Sequence, residues 1–397
     1  MRILQICNKP PFPAVDGGAI AMNNVTQGLI NKGCSIHVLT ITTPKHNINI
    51  DELPKSYVEK TNFQSVYIDT SIKIKDAFLN LFSKRSYNID RFISTEFSEK
   101  LSEKLQENKF DIIIIESLFA TPYINTIKKL SEGKIVLRAH NVEHRIWERI
   151  SVNTKNLFKK RYIDLLAKRL KKYEISIFNQ LDAICAMTEV DVNSFKKLGF
   201  NKKIIAIPTG YILDEAKVTP QNIEELSVFH LASMDWLPNT EGIDWFIKKV
   251  WTKVNLAVPN SKLYLAGREM PQRYYDLGIK SIKTIGPVKS AKEFFLSKNI
   301  MVVPILSGSG MRIKIIEGMA IGKVIISTTI GAEGINCTNN KNILIAESAD
   351  EFSKAIIKCL QDKSFCKEIS DNAKKLIFEE YSNELISERM IDFFNKL

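Results

Sequence analysis

The segment 307–320, SGSGMRIKIIEGMA, contains the residue types that bind a diphosphate and a sugar. It follows the apolar run NIMVVPIL (299–306), which is typical of a buried parallel strand, and it opens a stretch with helical periodicity. At a strand-to-helix turn, Gly308, Ser309 and Gly310 leave backbone N–H groups able to bind an anion at the helix N-terminus. The pattern therefore predicts an anion site at this turn.

Three charged residues follow these glycines at short spacing. Arg312 and Lys314 place positive charge beside the turn, and Glu317 provides an acceptor for a sugar hydroxyl. A loop rich in Gly and Ser also occurs in ordinary connections, so the loop by itself does not distinguish a binding site. The added Arg, Lys and Glu favour a nucleotide diphosphate, because that ligand needs both kinds of group.

A second loop of interest follows the apolar strand RILQIC (2–7). Gly17 and Gly18 come just before a predicted helix, where a glycine pair permits close approach of an acceptor or a phosphate. A tight connection without any ligand explains the pair equally well. The spacing differs from GxGxxG, which argues against a nicotinamide or flavin site.

A third loop follows the strand KIVLRAH (134–140). His140, at the carboxyl end of that strand, is well placed to hydrogen-bond a sugar hydroxyl or to interact with charge at the reacting carbon. The alternative is a structural histidine, and we favour the functional role. His140 and His144 have the spacing of half a metal site, but HExxH is absent and no neighbouring Cys or Asp completes it. We therefore expect no metal there.

A fourth loop, MDWLPNTEG (234–242), follows the strand VFHLAS. The proline and the polar residues after it predict a stiffened loop and a helix capped by Asn239 or Thr240. Trp236 either stacks on a ligand or plugs the loop, and we favour the plug.

Size and composition indicate a globular protein of two domains. The chain has 397 residues, of which 45% are hydrophobic. No apolar run approaches the length of a bilayer span, and the N-terminus turns polar too soon for a signal peptide, so we expect a cytoplasmic protein. The six cysteines are scattered without a CxxC pair, which predicts buried free thiols in a reducing compartment.

The formal net charge of +12 points to acidic partners. Residues 155–172, KNLFKKRYIDLLAKRLKK, form a basic amphipathic pattern. One interpretation is peripheral contact with the anionic inner face of a membrane; the other is a surface helix with its apolar face in the core. We slightly favour the second. No nucleic-acid motif accompanies the charge, so we expect no nucleic-acid partner.

Strand-like and helix-like segments alternate along the chain, which predicts an α/β protein with parallel sheets flanked by helices. The predicted strands are 2–7, 35–41, 65–68, 111–116, 134–140 and 183–188, then 228–233, 262–267, 283–286, 300–305, 324–328 and 343–347. The longest predicted helix is 143–180. The stretch 207–227 separates the two series and is predicted to be an interdomain linker. Two such sheets predict ligand binding at the carboxyl ends of their strands.

With these four loops in place, the chain resembles glycosyltransferase family 4 over nearly its full length, most specifically at 299–334. The resemblance implies a GT-B fold, in which two Rossmann-like domains face a central cleft. It implies an acceptor-side domain at 1–206, a donor-binding domain at 228–375, and a final helix at 376–397 that packs back on the first domain.

The resemblance also implies roles for the singled-out residues. Glu317 would contact the donor ribose, and backbone amides of Ser309–Met311 would bind the diphosphate. His140 would lie near the transferred sugar, and the Gly17-Gly18 loop would face the acceptor and the donor phosphate. The implied catalytic residues are His140, Arg312 and Lys314. The implied donor-binding residues are Gly308, Ser309, Gly310, Met311, Glu317, Asn239 and Arg268.

Two positions depart from the family pattern. A second glutamate commonly stands eight positions before the ribose-binding one, where this chain has Ser309. Many members carry an Arg and a Lys after the first strand of the second domain, but this chain has no cation between Ser233 and Glu241. We expect Arg312, Lys314 or Arg268 to supply that charge instead.

The function implied by the resemblance is transfer of a sugar, with retention of configuration, from a nucleotide-diphosphate sugar to a glycan, lipid-linked or small-molecule acceptor. Assembly of a lipid-linked glycan or surface polysaccharide is the expected context. No DxD string occurs, so we expect no metal or other cofactor. Two alternatives stay open: another GT-B enzyme such as a nucleotide-sugar 2-epimerase, and a non-catalytic protein that binds a sugar nucleotide or a membrane surface.

Overall fold

The computed structural model describes residues 1–212, 223–308 and 310–397. These residues form two compact units. Unit one contains Met1–Gly210 and Asn383–Leu397, and unit two contains Tyr211–Ser382. Ser309 and part of the predicted linker lie outside the described residues, as do the side chains of Ile74 and Ala77. The domain boundaries expected from the family resemblance stay predictions.

Each unit contains one parallel sheet. In unit one the strand order is β3-β2-β1-β4-β5-β6-β7, and in the described part of unit two it is β10-β9-β8-β11-β12-β13. The strands of unit one are β1 (Arg2–Cys7), β2 (Ser35–Thr42), β3 (Gln64–Tyr67), β4 (Ile112–Glu116), β5 (Lys134–Ala139), β6 (Ala183–Ala186) and β7 (Lys203–Ala206). The strands of unit two are β8 (Glu224–Leu231), β9 (Lys262–Ala266), β10 (Ile282–Gly286), β11 (Lys298–Val303), β12 (Val324–Ser327) and β13 (Leu344–Ile345).

Helices connect and cover these strands. The α-helices are α1 (Gly17–Asn31), α2 (Lys55–Thr61), α3 (Ile74–Leu81), α4 (Tyr87–Asp90), α5 (Thr95–Glu107), α6 (Ile124–Leu130), α7 (Glu143–Asn153), α8 (Leu157–Ser176), α9 (Glu189–Lys197), α10 (Leu237–Phe246), α11 (Thr252–Ala257), α12 (Gln272–Tyr275), α13 (Ala291–Ser297), α14 (Ile313–Ile321), α15 (Ala349–Gln361), α16 (Lys363–Glu380) and α17 (Asn383–Phe394). Short 3₁₀ turns lie at Ile50–Glu52, Leu118–Tyr123 and Phe178–Gln180, and a π-helical turn lies at Ile247–Trp251.

The apolar runs form strands because a parallel sheet covered by helices buries both of its faces. In β4, Ile112 and Ile114 pack on one side of the sheet with α1 and α17, whereas Ile113 and Ile115 pack on the other side. In both sheets the chain order reverses beside the first strand, between β1 and β4 and between β8 and β11. The carboxyl ends of strands at such reversals are the usual ligand sites of open α/β sheets.

The predicted alternation of strands and helices is confirmed, with three differences. In unit one, β7 and the helices α2, α3 and α4 were not predicted; β7 is short and half-exposed, and Phe78, Leu79 and Leu81 of α3 are in solvent. The predicted helix 143–180 is interrupted at residues 154–156, so that α7 and α8 form a hairpin. β8 begins at Glu224, inside the predicted linker 207–227.

The structure of α8 tests one of the two interpretations of residues 155–172, the one in which the apolar face lies in the core. Ile163, Leu166 and Leu170 are buried, so the preferred interpretation, an apolar face in the core, is confirmed for most of the helix. Leu157 and Phe158 at its start are 73% and 83% exposed. Among the helices of the described residues, none combines the length and the apolar character that crossing a membrane would need. All six cysteines are free thiols, and four of them are buried.

Helix α17 packs against α1 and completes the core on that face of unit one. Met390, Phe393 and Phe394 join the cluster that contains α1 and the sheet. Gly28 of α1 makes the contact close: a Cβ atom there would lie 2.0 Å from Ser387 Oγ. A glycine is therefore needed for the two helices to approach at this distance.

We expect Gly28→Ala to lower the free energy of unfolding by about 1–3 kcal/mol, because the added methyl group overpacks the α1–α17 contact. Chemical denaturation of the full chain measures this. Ser387→Ala is the matched test, since it removes the hydroxyl that the new methyl group meets. The double variant should recover part of the loss, and strictly additive effects would contradict the steric explanation.

Candidate functional site

In unit two, the segment 304–312 connects β11 to α14, so the predicted strand, turn and helix are confirmed. Gly308 and Gly310 have φ angles of 111° and 89°, in the left-handed region that glycine adopts without strain. Ser309 lies outside the described residues. Both glycines thus have the conformation that the sequence predicts, a few residues before α14 begins at Ile313.

Arg312 folds back beneath this turn. Its Nη1 donates a hydrogen bond to the carbonyl of Gly310, and its guanidinium carbon lies 4.9 Å from the centre of the Trp236 ring. Gly308 packs on the same ring, since a Cβ atom there would lie 3.1 Å from it. Trp236 therefore packs against Gly308 and Arg312, and it holds the Arg312 charge beside the Gly308–Gly310 turn.

A hydrogen bond between Lys314 and Asn239 joins α14, which follows β11, to α10, which follows β8. The order of the strands reverses between β8 and β11. Lys314 Nζ donates to Asn239 Oδ1 at 3.2 Å, and Asn239 Nδ2 donates to the carbonyl of Ser233 at 2.8 Å. Burial and the nearby Arg312 charge lower the pKa of Lys314 to about 7. Both cations that the sequence singled out are therefore held at the carboxyl edge of this sheet.

Glu317 lies one helical turn beyond Lys314, on the same side of α14. Burial raises the pKa of Glu317 to about 7. Met311 is half-buried and packs on the apolar cluster beneath the helix. Arg268, which the sequence offered as a replacement cation, is an exposed residue after β9, and its carbonyl accepts a hydrogen bond from the Met234 N–H.

The predicted cap of α10 is wrong. The helix begins at Leu237 with Trp236 as its cap, so Asn239 and Thr240 lie within the first turn. Pro238 explains the difference, because the fixed φ of proline favours the first turn of a helix. Asn239 then turns its amide toward Ser233 and Lys314 and does not cap the helix.

His230 in β8 is a neighbour of this site that sequence reasoning missed. It is 1% exposed, and its ring Nδ1 lies 2.9 Å from the carbonyl of Val302. Burial, and then the charge of Lys314, lower its pKa well below the usual value, so the ring is neutral. The sequence signal that could have identified His230 is a histidine inside an otherwise apolar strand.

In unit one, His140 is held by a buried carboxylate. Its Nε2 lies 2.6 Å from Oε2 of Glu116, the last residue of β4. Arg138 Nη1 lies 3.2 Å from the same oxygen, and Gln5 Nε2 donates to Oε1 at 2.8 Å. Burial alone would raise the pKa of Glu116, but Arg138, His140 and Gln5 lower it to about 2. The carboxylate is therefore ionised and accepts from all three partners.

This arrangement fixes the hydrogen-bonding role of His140. An ionised carboxylate can only accept, so Nε2 of His140 carries a proton. Burial lowers the pKa of His140 more than Glu116 raises it, which keeps the ring neutral at pH 7. Nδ1 is then a hydrogen-bond acceptor, suited to a sugar hydroxyl.

His140 and His144 do not act together. His144 Nδ1 lies 2.5 Å from Glu174 Oε2, whereas His140 contacts Glu116. Burial and then the neighbouring Glu174 raise the pKa of Glu143 to about 8, so this carboxyl is protonated at neutral pH. Within the part of the chain that the structure describes, no group of three or more His, Cys, Asp or Glu side chains could hold a metal ion. The absence of a metal requirement stays a prediction.

Gly17 and Gly18 lie inside α1, which corrects the prediction that they precede it. Asp16 caps the helix by accepting from the Ala19 N–H at 2.9 Å. Lys9 Nζ lies 2.6 Å from the Asp16 carboxylate, and a Cβ atom at position 18 would lie 2.8 Å from that amine. Here Gly18 makes room for the Lys9 side chain, and the Asp16 carboxylate occupies a helix N-terminus that was predicted to face a phosphate.

Two family models match the chain. One, described as Glycosyltransferase Family 4, matches residues 15–215, and one described as Glycosyl transferases group 1 matches residues 225–362. The chain belongs to glycosyltransferase family 4. This glycosyltransferase is 24% identical, over 97% of both chains, to an uncharacterized 44.6 kDa protein in the cps region of Klebsiella pneumoniae.

Solved structures show that this glycosyltransferase has the two-domain GT-B fold. Sucrose-phosphate synthase from Thermosynechococcus elongatus matches with a TM-score of 0.72 at 13% identity, covering 100% of this chain and 99% of that one. HepE from Anabaena, solved in complex with UDP, matches with a TM-score of 0.68 at 12% identity over 100% of both chains. Each likeness, at such low identity, concerns the fold alone.

We expect Glu116→Gln to lower the free energy of unfolding of this glycosyltransferase by about 3–5 kcal/mol, because Arg138 would keep a buried charge without its counter-ion. Replacing both partners, as Glu116→Leu with Arg138→Met, should recover most of the loss. Chemical denaturation of the three proteins measures both effects. If Glu116→Gln unfolded at the same denaturant concentration as the wild type, that result would contradict a stabilising ion pair between Glu116 and Arg138.

The same carboxylate predicts a pH dependence. Because the folded pKa of Glu116 is lowered from 4.5 to about 2, its contribution to stability is complete above pH 4.5 and is lost as the pH falls toward 2. Denaturation curves recorded across that range should show a steeper acid loss for the wild type than for Glu116→Gln. Parallel pH profiles would contradict the lowered pKa.

Proposed function

We propose that this glycosyltransferase transfers a sugar from a nucleotide-diphosphate sugar to a glycan, lipid-linked or small-molecule acceptor, with retention of configuration. The observation that carries the proposal is the pair of cations, Arg312 and Lys314, held beside the Gly308–Gly310 turn at the carboxyl edge of the unit-two sheet. The same position, at the reversal of strand order, is where open α/β sheets bind nucleotides.

The diphosphate is proposed to bind the backbone amides at the start of α14 together with these two side chains. Negative charge builds on the departing diphosphate as the bond to the sugar breaks. Fixed amides and cations then stabilise the transition state more than the ground state. Burial, and then the Arg312 charge, lower the pKa of Lys314, and a bound anion would offset both effects. The structure of HepE in complex with UDP-glucose agrees with such a donor.

Glu317 is proposed to accept hydrogen bonds from the ribose hydroxyls. It lies on the same side of α14 as Lys314, so one helix would contact both the diphosphate and the ribose. His140 is proposed to accept a hydrogen bond from a hydroxyl of the transferred sugar through Nδ1. Glu116 keeps that nitrogen unprotonated and the ring fixed.

A panel of nucleoside diphosphates and their sugars, tested by thermal shift, should contain a ligand that raises the melting temperature. That ligand should then support turnover with an acceptor, and the anomeric proton of the product should show by NMR the configuration of the donor. Consumption of the donor to an epimer without acceptor would favour a nucleotide-sugar 2-epimerase. Binding without turnover would favour a non-catalytic binding protein.

Lys314→Ala and Glu317→Ala should each weaken binding of that ligand about tenfold to hundredfold, because each removes a hydrogen bond to or from a charged group. Lys283→Ala, which removes an exposed lysine of β10 in the same unit, is the matched control and should bind normally. Calorimetric titration measures the three affinities. Equal effects of Lys283→Ala and Lys314→Ala would contradict a specific site.

The pKa of Lys314 predicts how binding depends on pH. Binding of a diphosphate raises the pKa of Lys314 from about 7. The attraction between Lys314 and the diphosphate is therefore fully present below pH 7 and declines as the pH rises above 7. Affinity for the nucleoside diphosphate should fall up to about tenfold between pH 7.5 and 8.5. Lys314→Arg stays charged and should show a flat profile over that range. The same slope in both proteins would assign the dependence to another group.

A further inference from the structure

The start of α10 packs closely against the segment 304–312, which connects β11 to α14. A Cβ atom at Gly242 of α10 would lie 1.9 Å from the carbonyl oxygen of Pro304, and one at Gly308 would lie 3.1 Å from the ring of Trp236. Trp236 directly precedes α10. Contacts this close at two places hold the first turns of the helix against the segment.

Glu241 of α10 brings a carboxylate to this segment. Ser307 Oγ donates a hydrogen bond to Glu241 Oε2 at 3.0 Å. Residues 304–316 include no Asp or Glu, so this negative charge comes from a different element than the turn itself. A carboxylate offers about four acceptor positions, and Ser307 uses one of them. The remaining positions can accept hydrogen bonds from a ligand.

Lys314 does not neutralise Glu241. Lys314 Nζ donates to Asn239 at 3.2 Å. Burial, and then the Arg312 charge, lower the pKa of Lys314, whereas a carboxylate beside Lys314 would raise that pKa. Lys314 and Arg312 are the side chains proposed to bind the diphosphate, a group that Glu241 would repel. The ligand group that suits Glu241 is therefore uncharged and carries hydroxyl donors.

Glu241 is half-buried, and exposed apolar side chains lie near it. Leu237, one helical turn earlier on the same side of α10, is 62% exposed, and Leu306, the chain neighbour of Ser307, is 39% exposed. Apolar surface around a few fixed polar groups is typical of small-molecule sites. A sugar matches both features, since its hydroxyls donate hydrogen bonds and its C–H groups pack on apolar surface.

We propose that Glu241 recognises the sugar of the donor by accepting hydrogen bonds from its hydroxyls, and that Ser307 positions the Glu241 carboxylate. The inference rests on the proposed function, because it takes the diphosphate to bind at the Gly308–Gly310 turn. The charge of Glu241 makes the site selective for a neutral sugar, since the carboxylate of a uronic acid would meet a like charge at short range.

The alternative is a purely structural role, in which the bond between Ser307 and Glu241 only holds the turn against α10. Loss of that bond would then disturb the turn and weaken the binding of a nucleoside diphosphate and of its sugar derivative equally. Loss of a sugar contact weakens only the second ligand. The ratio of the two dissociation constants therefore distinguishes the two roles.

The test is calorimetric titration of the full chain with UDP, GDP, ADP and dTDP, and with the glucose and mannose derivatives of each. For the nucleotide that binds, Glu241→Ala should weaken binding of the sugar derivative about tenfold to hundredfold, because hydrogen bonds to a charged acceptor are lost. The same variant should not weaken binding of the diphosphate alone. Ser307→Ala should show a smaller loss of the same kind, since the carboxylate is still present.

The charge of Glu241 is tested with the matching uronic acid derivative of the same diphosphate. The wild type should bind this ligand about tenfold or more weakly than the neutral sugar derivative, because two carboxylates would approach each other. Glu241→Gln should narrow that difference, since the amide keeps an acceptor oxygen and has no charge. An unchanged difference in Glu241→Gln would contradict selection by charge.

Glu368→Ala is the matched control, because Glu368 is an exposed carboxylate of α16 in the same unit. It should bind every ligand as the wild type does. Two results with Glu241→Ala would overturn the inference and leave the proposed function standing: an equal loss for the diphosphate and its sugar derivative, or no loss for either. A wild type that binds none of these nucleotides would overturn the proposed function and, with it, the role of Glu241.

Discussion

The burial of Lys314 beside Arg312 is the constraint on which the functional interpretation of unit two depends. Burial, and then the neighbouring Arg312 charge, make the protonated form of Lys314 costly, and the lowered pKa of Lys314 reflects that cost. Trp236 and the Gly310 carbonyl hold Arg312, while Asn239 holds Lys314. The fold therefore keeps two cationic side chains beside the Gly308–Gly310 turn, where the diphosphate is proposed to bind.

In unit one, the buried charges at the carboxyl edge form a hydrogen-bonded network, because Glu116 is bonded to Arg138, His140 and Gln5. Thr26 of α1 in turn donates to Gln5 at 2.6 Å, which ties the helix to the network. The result is a rigid frame in which a neutral histidine presents one defined nitrogen. Unit two thus holds two cations beside a glycine turn, and unit one fixes the orientation of a histidine.

The sequence allowed the sheets and the turn between β11 and α14 to be predicted because their signals are local. Apolar runs such as that of β4 indicate buried strands, and the glycines at positions 308 and 310 indicate a turn. The network around Glu116 was missed because its partners, Gln5 and Arg138, are brought together by strand order and not by spacing along the chain. A carboxylate or guanidinium inside an apolar strand was the signal that such a network exists.

The contact of α17 with α1 has a consequence for how the protein folds during synthesis. Unit one begins at the first residue, yet Met390, Phe393 and Phe394 cover part of its core and are translated after all of unit two. The apolar groove on α1 and the neighbouring sheet therefore stays open to solvent while residues 211–382 leave the ribosome. Because exposed apolar surface in a nascent chain promotes aggregation, this order makes the growing polypeptide a natural client for chaperones that shield such grooves.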